Sequence, residues 1–167
     1  MDIWLILYAL IFLFAIPRAK WHRRPDPLFE SNNPGGDTSQ YSIYGANWEA
    51  ETFTVGAVHH TVASVKGKWF RSGSPGTLTV SIRKTDASGH PTGSDLNSGS
   101  INANTFVTTP GAWYEVPLSP EIVVDANTKY AICARAPTGN SSNWVGWRLR
   151  NLDYTGGNPE RSTDGGV

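Results

Sequence analysis

Between Gly76 and Leu118 two segments alternate apolar and polar residues at period two, with turn-forming residues between them. In Thr77-Leu78-Thr79-Val80-Ser81-Ile82-Arg83 every second side chain is apolar, and Tyr114, Val116 and Leu118 repeat the pattern. A strand sends successive side chains to opposite faces, so this spacing makes one face oily and the other wet. The pattern therefore predicts an all-β protein of antiparallel strands with one buried face, arranged as a sandwich or barrel.

Composition agrees. The chain has 167 residues, enough for one domain with a core plus a tail, and Gly, Ser, Thr and Asn abound alongside 11 prolines. Such a mixture suits many short strands joined by tight turns. With 14 acidic and 14 basic residues the chain lacks the one-sided positive field of a nucleic-acid binder. The single cysteine, Cys133, forbids an internal disulfide and reads as a small packed side chain.

The organisation expected is a hydrophobic segment with a basic flank over residues 1–24, a linker over 25–47 and a β-domain over 48–167. Ile3, Trp4, Leu5, Leu7, Leu10, Phe12, Phe14 and Ile16 belong to an unbroken apolar run of 14 residues. As a short helix that run rises about 21 Å, less than the roughly 30 Å of a bilayer core. Three readings stand: a membrane anchor, a signal peptide, or an apolar segment buried on partner subunits. Membrane association is favoured, although Arg18, Lys20, Arg23 and Arg24 follow the run and would hold that side in the cytoplasm. That orientation conflicts with a β-domain built like an extracellular module.

Within the β-domain, strands are expected at 51–55, 61–70, 77–83, 96–101, 113–118, 129–135 and 143–150. Gly67 interrupts the core row of Val65 and Trp69, which predicts a bulge or a close neighbour there. Phe106 and Val107 read as anchors of a polar connection, and residues 85–94 as a surface loop.

The segments GSPGTLTVSI, Gly111-Ala112-Trp113-Tyr114 and Asn127-Thr128-Lys129-Tyr130-Ala131-Ile132 resemble small jelly-roll-like β-sandwich modules of bacterial, archaeal and phage surface proteins. Among them the chain resembles the choice-of-anchor R type domain, and the resemblance covers about residues 50–167. It implies a jelly-roll-like sandwich in a non-catalytic module, extracytoplasmic or at the cell surface, and it supplies no catalytic residues. Related domains continue past a turn like Ser162-Thr163-Asp164-Gly165-Gly166 into a Trp-bearing strand, whereas this sequence stops at Val167. The resemblance then implies that this strand is absent or that an outside strand fills its place.

Candidate chemistry is sparse. His59 and His60 are adjacent, so in a strand they diverge and cannot share one metal. Asp86, Asp95 and Asp125 sit in turn-like sequence and are the weak candidates for a structural calcium; no other cofactor is expected. Trp113 falls out of phase with Tyr114 and should face outward. Trp144 and Trp147 are three apart, so one of them must leave the core, and Tyr154 lies in a Gly-rich loop. Exposed aromatic rings stack on sugars and anchor protein interfaces. The expected function is a non-enzymatic accessory module, a structural or protein-interaction subunit of a membrane or larger assembly. The alternative is a carbohydrate-binding module using Trp113, Trp144, Trp147 and Tyr154.

Overall fold

The computed structural model describes Asp37, residues 39–149 and residues 155–166. The residues read as a hydrophobic helix (3–16) and Tyr154 lie outside the described residues. Among the described residues nine strands are formed: β1 (Ser39–Ile43), β2 (Trp48–Thr54), β3 (His60–Ser72), β4 (Thr77–Thr85), β5 (Pro91–Asn102), β6 (Ala112–Val124), β7 (Lys129–Arg135), β8 (Trp144–Leu149) and β9 (Pro159–Ser162). One 3₁₀ turn, Ala103–Thr105, joins β5 to β6, and no α-helix occurs among the described residues.

The strands form one antiparallel sheet in the order β1-β8-β3-β6-β5-β4-β7-β2-β9. This differs from the two separate stacked sheets expected. The sheet is continuous because β5 and β6 keep a single pairing, Ser98 with Ser119, where it curls. Gly99 makes that corner possible, since a Cβ there would lie 1.9 Å from the Pro117 carbonyl oxygen. In the register between β3 and β6, Ser64 faces Pro117 and Val62 faces Ile122, so residues 118–121 have no ladder partner on β3. Pro120 therefore falls where its missing N–H breaks no ladder bond to β3.

Curling brings the two halves face to face over a common core. Val65 and Trp69 of β3, Val116 and Leu118 of β6, and Val145 and Trp147 of β8 come from one half. Phe53 of β2, Leu78, Val80 and Ile82 of β4, and Tyr130 and Ala134 of β7 come from the other. The alternating residues of the sequence are the ones that meet there. Burying a side chain of this kind contributes about 1.5–3 kcal/mol.

Gly67 has the close neighbour expected of it: a Cβ would meet the Trp69 indole at 2.5 Å, so the ring lies across its own strand. The bulge falls elsewhere, between Val62 and Ser64. Phe106 is an anchor, stacked on Trp69 and Tyr114, but Val107 is exposed. Val107 instead uses its backbone, its N–H donating to the Tyr114 hydroxyl. The loop read at 85–94 contracts to the turn between β4 and β5, where Asp86 accepts hydrogen bonds from the N–H groups of Ser88 and His90. The sheet begins at Ser39, inside the stretch read as linker.

Candidate functional site

Two outer faces carry the chemistry, and phase decides what each presents. On the β1-β8-β3-β6 half, Trp69 and Trp147 point inward, so Lys66, Lys68 and Phe70 of β3 point outward with Trp144 and Arg148 of β8 and Trp113 of β6. Trp113 is 46% exposed and stands opposite Lys68 in the ladder. Trp147 is 8% exposed, tilted against Trp69 at 6.2 Å, and belongs to the core. Of that pair Trp144 is the one that leaves the core, as a spacing of three requires.

Phe70 faces outward and is nonetheless buried. Trp144 packs edge-on against it at 5.4 Å and 78°, and the Arg148 guanidinium lies 4.7 Å above its ring. Beneath it is Gly146, where a Cβ would fall 2.0 Å from Phe70. Arg148 is itself fixed, donating from Nε to the Pro110 carbonyl at 3.0 Å and from Nη2 to Thr109 Oγ1 at 2.6 Å. Beside this stack is a trough of about 400 Å³ lined by Gln40, Phe70, Ser72, Thr108, Thr109 and Trp144, with Arg71 at its wall. Trp113 and Trp144 share the face without meeting. They lie two strands and four residues apart in the ladder, roughly 16 Å by strand geometry.

The outer face of the other half holds a residue that the sequence reading passed over. Trp48 is out of phase with Phe53, the same signal that marks Trp113, and two guanidiniums lie against its ring. Arg83 is 5.2 Å and Arg135 is 5.1 Å from its ring centroid. Both guanidiniums bind Asp95, Arg83 from Nε at 2.8 Å and Arg135 from Nη1 at 3.1 Å and also from Nη2, while Ser81 Oγ donates at 2.9 Å. Burial works to raise the pKa of Asp95, but the hydrogen bonds from Arg135, Arg83 and Ser81 outweigh it and hold the carboxyl down to about 2. Under this layer lie Ala50, Ala131 and Cys133, the last packed as expected, with burial pushing its thiol up to about 11.

The adjoining pocket, about 190 Å³, is lined by Trp48, Glu49, His90, Glu160, Arg161 and Ser162 among others. Glu49 is 1% exposed, and although Arg161 Nε lies 3.1 Å from Oε1, neither carboxylate oxygen has a hydrogen-bond partner among the described residues. Burial raises its pKa to about 7 against the pull of Arg161. Glu51 is also raised to about 7, by burial first and by the negative charge of Glu160 second. His90 Nδ1 is 2.9 Å from Glu160 Oε2, a contact that raises the histidine pKa. His90 thus ties the β4–β5 turn to β9.

The three acids considered for calcium are held by different protein partners. Asp86 caps its turn, Asp95 is bound by two arginines, and Asp125 lies beside the Tyr130 hydroxyl at 3.4 Å. Among the described residues no three His, Cys, Asp or Glu side chains converge as a metal site would require. No helix among the described residues is long and apolar enough to cross a membrane. No protein-family model and no curated protein matches this sequence.

Proposed function

We propose that this chain is a non-enzymatic accessory module, a jelly-roll-like β-sandwich whose outer face on the β1-β8-β3-β6 half binds a partner in a larger assembly. Kinship with the choice-of-anchor R type domains is part of the proposal. The strand order supports the architecture: β1-β8-β3-β6 facing β2-β7-β4-β5 is the order produced by two Greek keys rolled together. β9 extends the second half beside β2.

The observation that carries the functional reading is Trp113. A large indole left 46% exposed on a sheet face, ringed by Lys66, Lys68 and Glu115, has the make-up of an interface anchor with a polar rim. The catalytic alternative has less to stand on. Asp95 is bound by two arginines that hold its carboxyl down to about 2, and no three His, Cys, Asp or Glu side chains converge among the described residues. Presentation from a membrane rests on the apolar run from Ile3 to Ile16, and a cell-surface location on the resemblance alone.

The test is co-purification of the full chain with its native assembly, compared with Trp113→Ser. Loss of at least about tenfold in recovery, with an unchanged circular dichroism spectrum, is the expected result. Equal recovery of both proteins refutes this face as the interface. A second reading, carbohydrate binding, is favoured by one observation, the trough beside Trp144.

A further inference from the structure

We infer that the trough between β1, β3, β8 and the 108–110 loop is a subsite for uncharged pyranose rings of a polysaccharide, with the Trp144 indole as its stacking platform. This deepens the carbohydrate reading and rests on it.

The first argument is rigidity. A sugar ring gains most from an aromatic face that is already fixed, because no rotamer freedom is lost on binding. Trp144 is held edge-on by Phe70, and Phe70 is clamped between Gly146 below and Arg148 above. The platform is built into the sheet rather than carried on a loop.

The second argument is the chemistry of the lining. Gln40 contributes an amide, and Ser72, Thr108 and Thr109 contribute hydroxyls, around one indole. Those groups match the equatorial hydroxyls and apolar CH face of a pyranose, each hydroxyl being both donor and acceptor. A volume of about 400 Å³ lies within the range of small-ligand sites.

The third argument sets the charge of the ligand. The cations at the trough are committed to the protein. Arg71 donates from Nε to the Phe106 carbonyl at 2.9 Å and from Nη1 to the Gly73 carbonyl at 2.6 Å. Arg148 is spent on Pro110 and Thr109. Both guanidiniums are held in place by these bonds, and the remaining polar groups of the lining are an amide and hydroxyls, which suit the hydroxyls of an uncharged ring. An extended peptide would bind differently, through the backbone of β1 at the end of the sheet order, and would need no indole.

The experiment titrates the full chain with neutral hexasaccharides (β-glucan, α-glucan, β-mannan, β-xylan and chitin series) and with hexagalacturonate at millimolar concentration. The readouts are intrinsic tryptophan fluorescence and nitrogen-15 amide and indole shifts. The expected result is a neutral hexasaccharide that moves the Trp144 indole signal and the amides of residues 70–73 and 108–109. Trp144→Ala should then weaken binding at least about tenfold. Gln40→Ala, an exposed change that leaves the core intact, should weaken it about threefold. Trp113→Ser should leave it unchanged. The inference is overturned if no neutral hexasaccharide moves these signals, if only hexagalacturonate binds, or if shifts centre on Trp113 or on the β1 backbone. Should assembly co-purification still depend on Trp113 in that case, the interface reading survives while the sugar subsite does not.

Discussion

Replacing Glu51 by Gln should stabilise the protein at high pH and do almost nothing at low pH. Glu51 is half-buried on β2, beside the β9 strand that carries Glu160. Burial, then Glu160, lifts its pKa from 4.5 to about 7. A carboxyl whose pKa is higher folded than unfolded binds its proton more tightly in the native state. Its penalty is therefore absent below pH 4.5, grows as pH rises from 4.5 to 7, and is complete above 7. At about 1.4 kcal/mol per pKa unit the full penalty is about 3 kcal/mol, which partial solvent exposure reduces to about 1–2 kcal/mol. Gln keeps the shape and removes the charge, so Glu51→Gln should gain about 1–2 kcal/mol at pH 8, or ~3–6 °C in Tm. Urea unfolding of both proteins at pH 4.5 and pH 8 measures this. A gain of equal size at both pH values, or a loss at pH 8, would refute the reasoning.

Two further outcomes follow from the packing. Gly146→Ala places a methyl within 2.0 Å of the Phe70 ring, so it should cost about 1–3 kcal/mol in urea unfolding and displace Trp144, seen as a fluorescence shift. Asp95→Ala leaves Arg83, Arg135 and Ser81 without their common acceptor and should cost about 1–3 kcal/mol at pH 7. Because the folded pKa of Asp95 is depressed, wild type should lose this advantage as pH falls from 3.8 towards about 2, and the two proteins should converge there.

What was legible in the sequence was phase. Leu78, Val80 and Ile82, and likewise Tyr130, Ile132 and Ala134, lie on the core side because each is two residues from the next. The same rule put Trp113 outside, whereas Cys133, out of phase with Tyr130 and Ile132, is packed in a second layer with Ala50 and Ala131. It failed where pairing rather than burial makes the strand. β9 (Pro-Glu-Arg-Ser) has no apolar alternation and is held by its ladder to β2, by Arg161 near Glu49 and by Glu160 at His90. β1 is five residues long and offers only Tyr41 and Ile43 as signal. The strand expected at 113–118 runs on past Pro117 and Pro120 to Val124, because it changes neighbours there. The stack at Trp48 depends on residues from β2, β4, β5 and β7 meeting on one face. No local pattern encodes that meeting, although the phase of Trp48 against Phe53 was available to find it.

The central claim is that alternation closes one curled sheet over an aromatic core and leaves selected rings outside as the working surface. Hydroxyl-radical footprinting of the native chain, read by mass spectrometry at each tryptophan, tests it most directly. Trp113 should be oxidised rapidly, Trp144 at an intermediate rate, and Trp69 and Trp147 only on unfolding. Oxidation of Trp147 or Trp69 as fast as Trp113 in the folded protein would contradict the account.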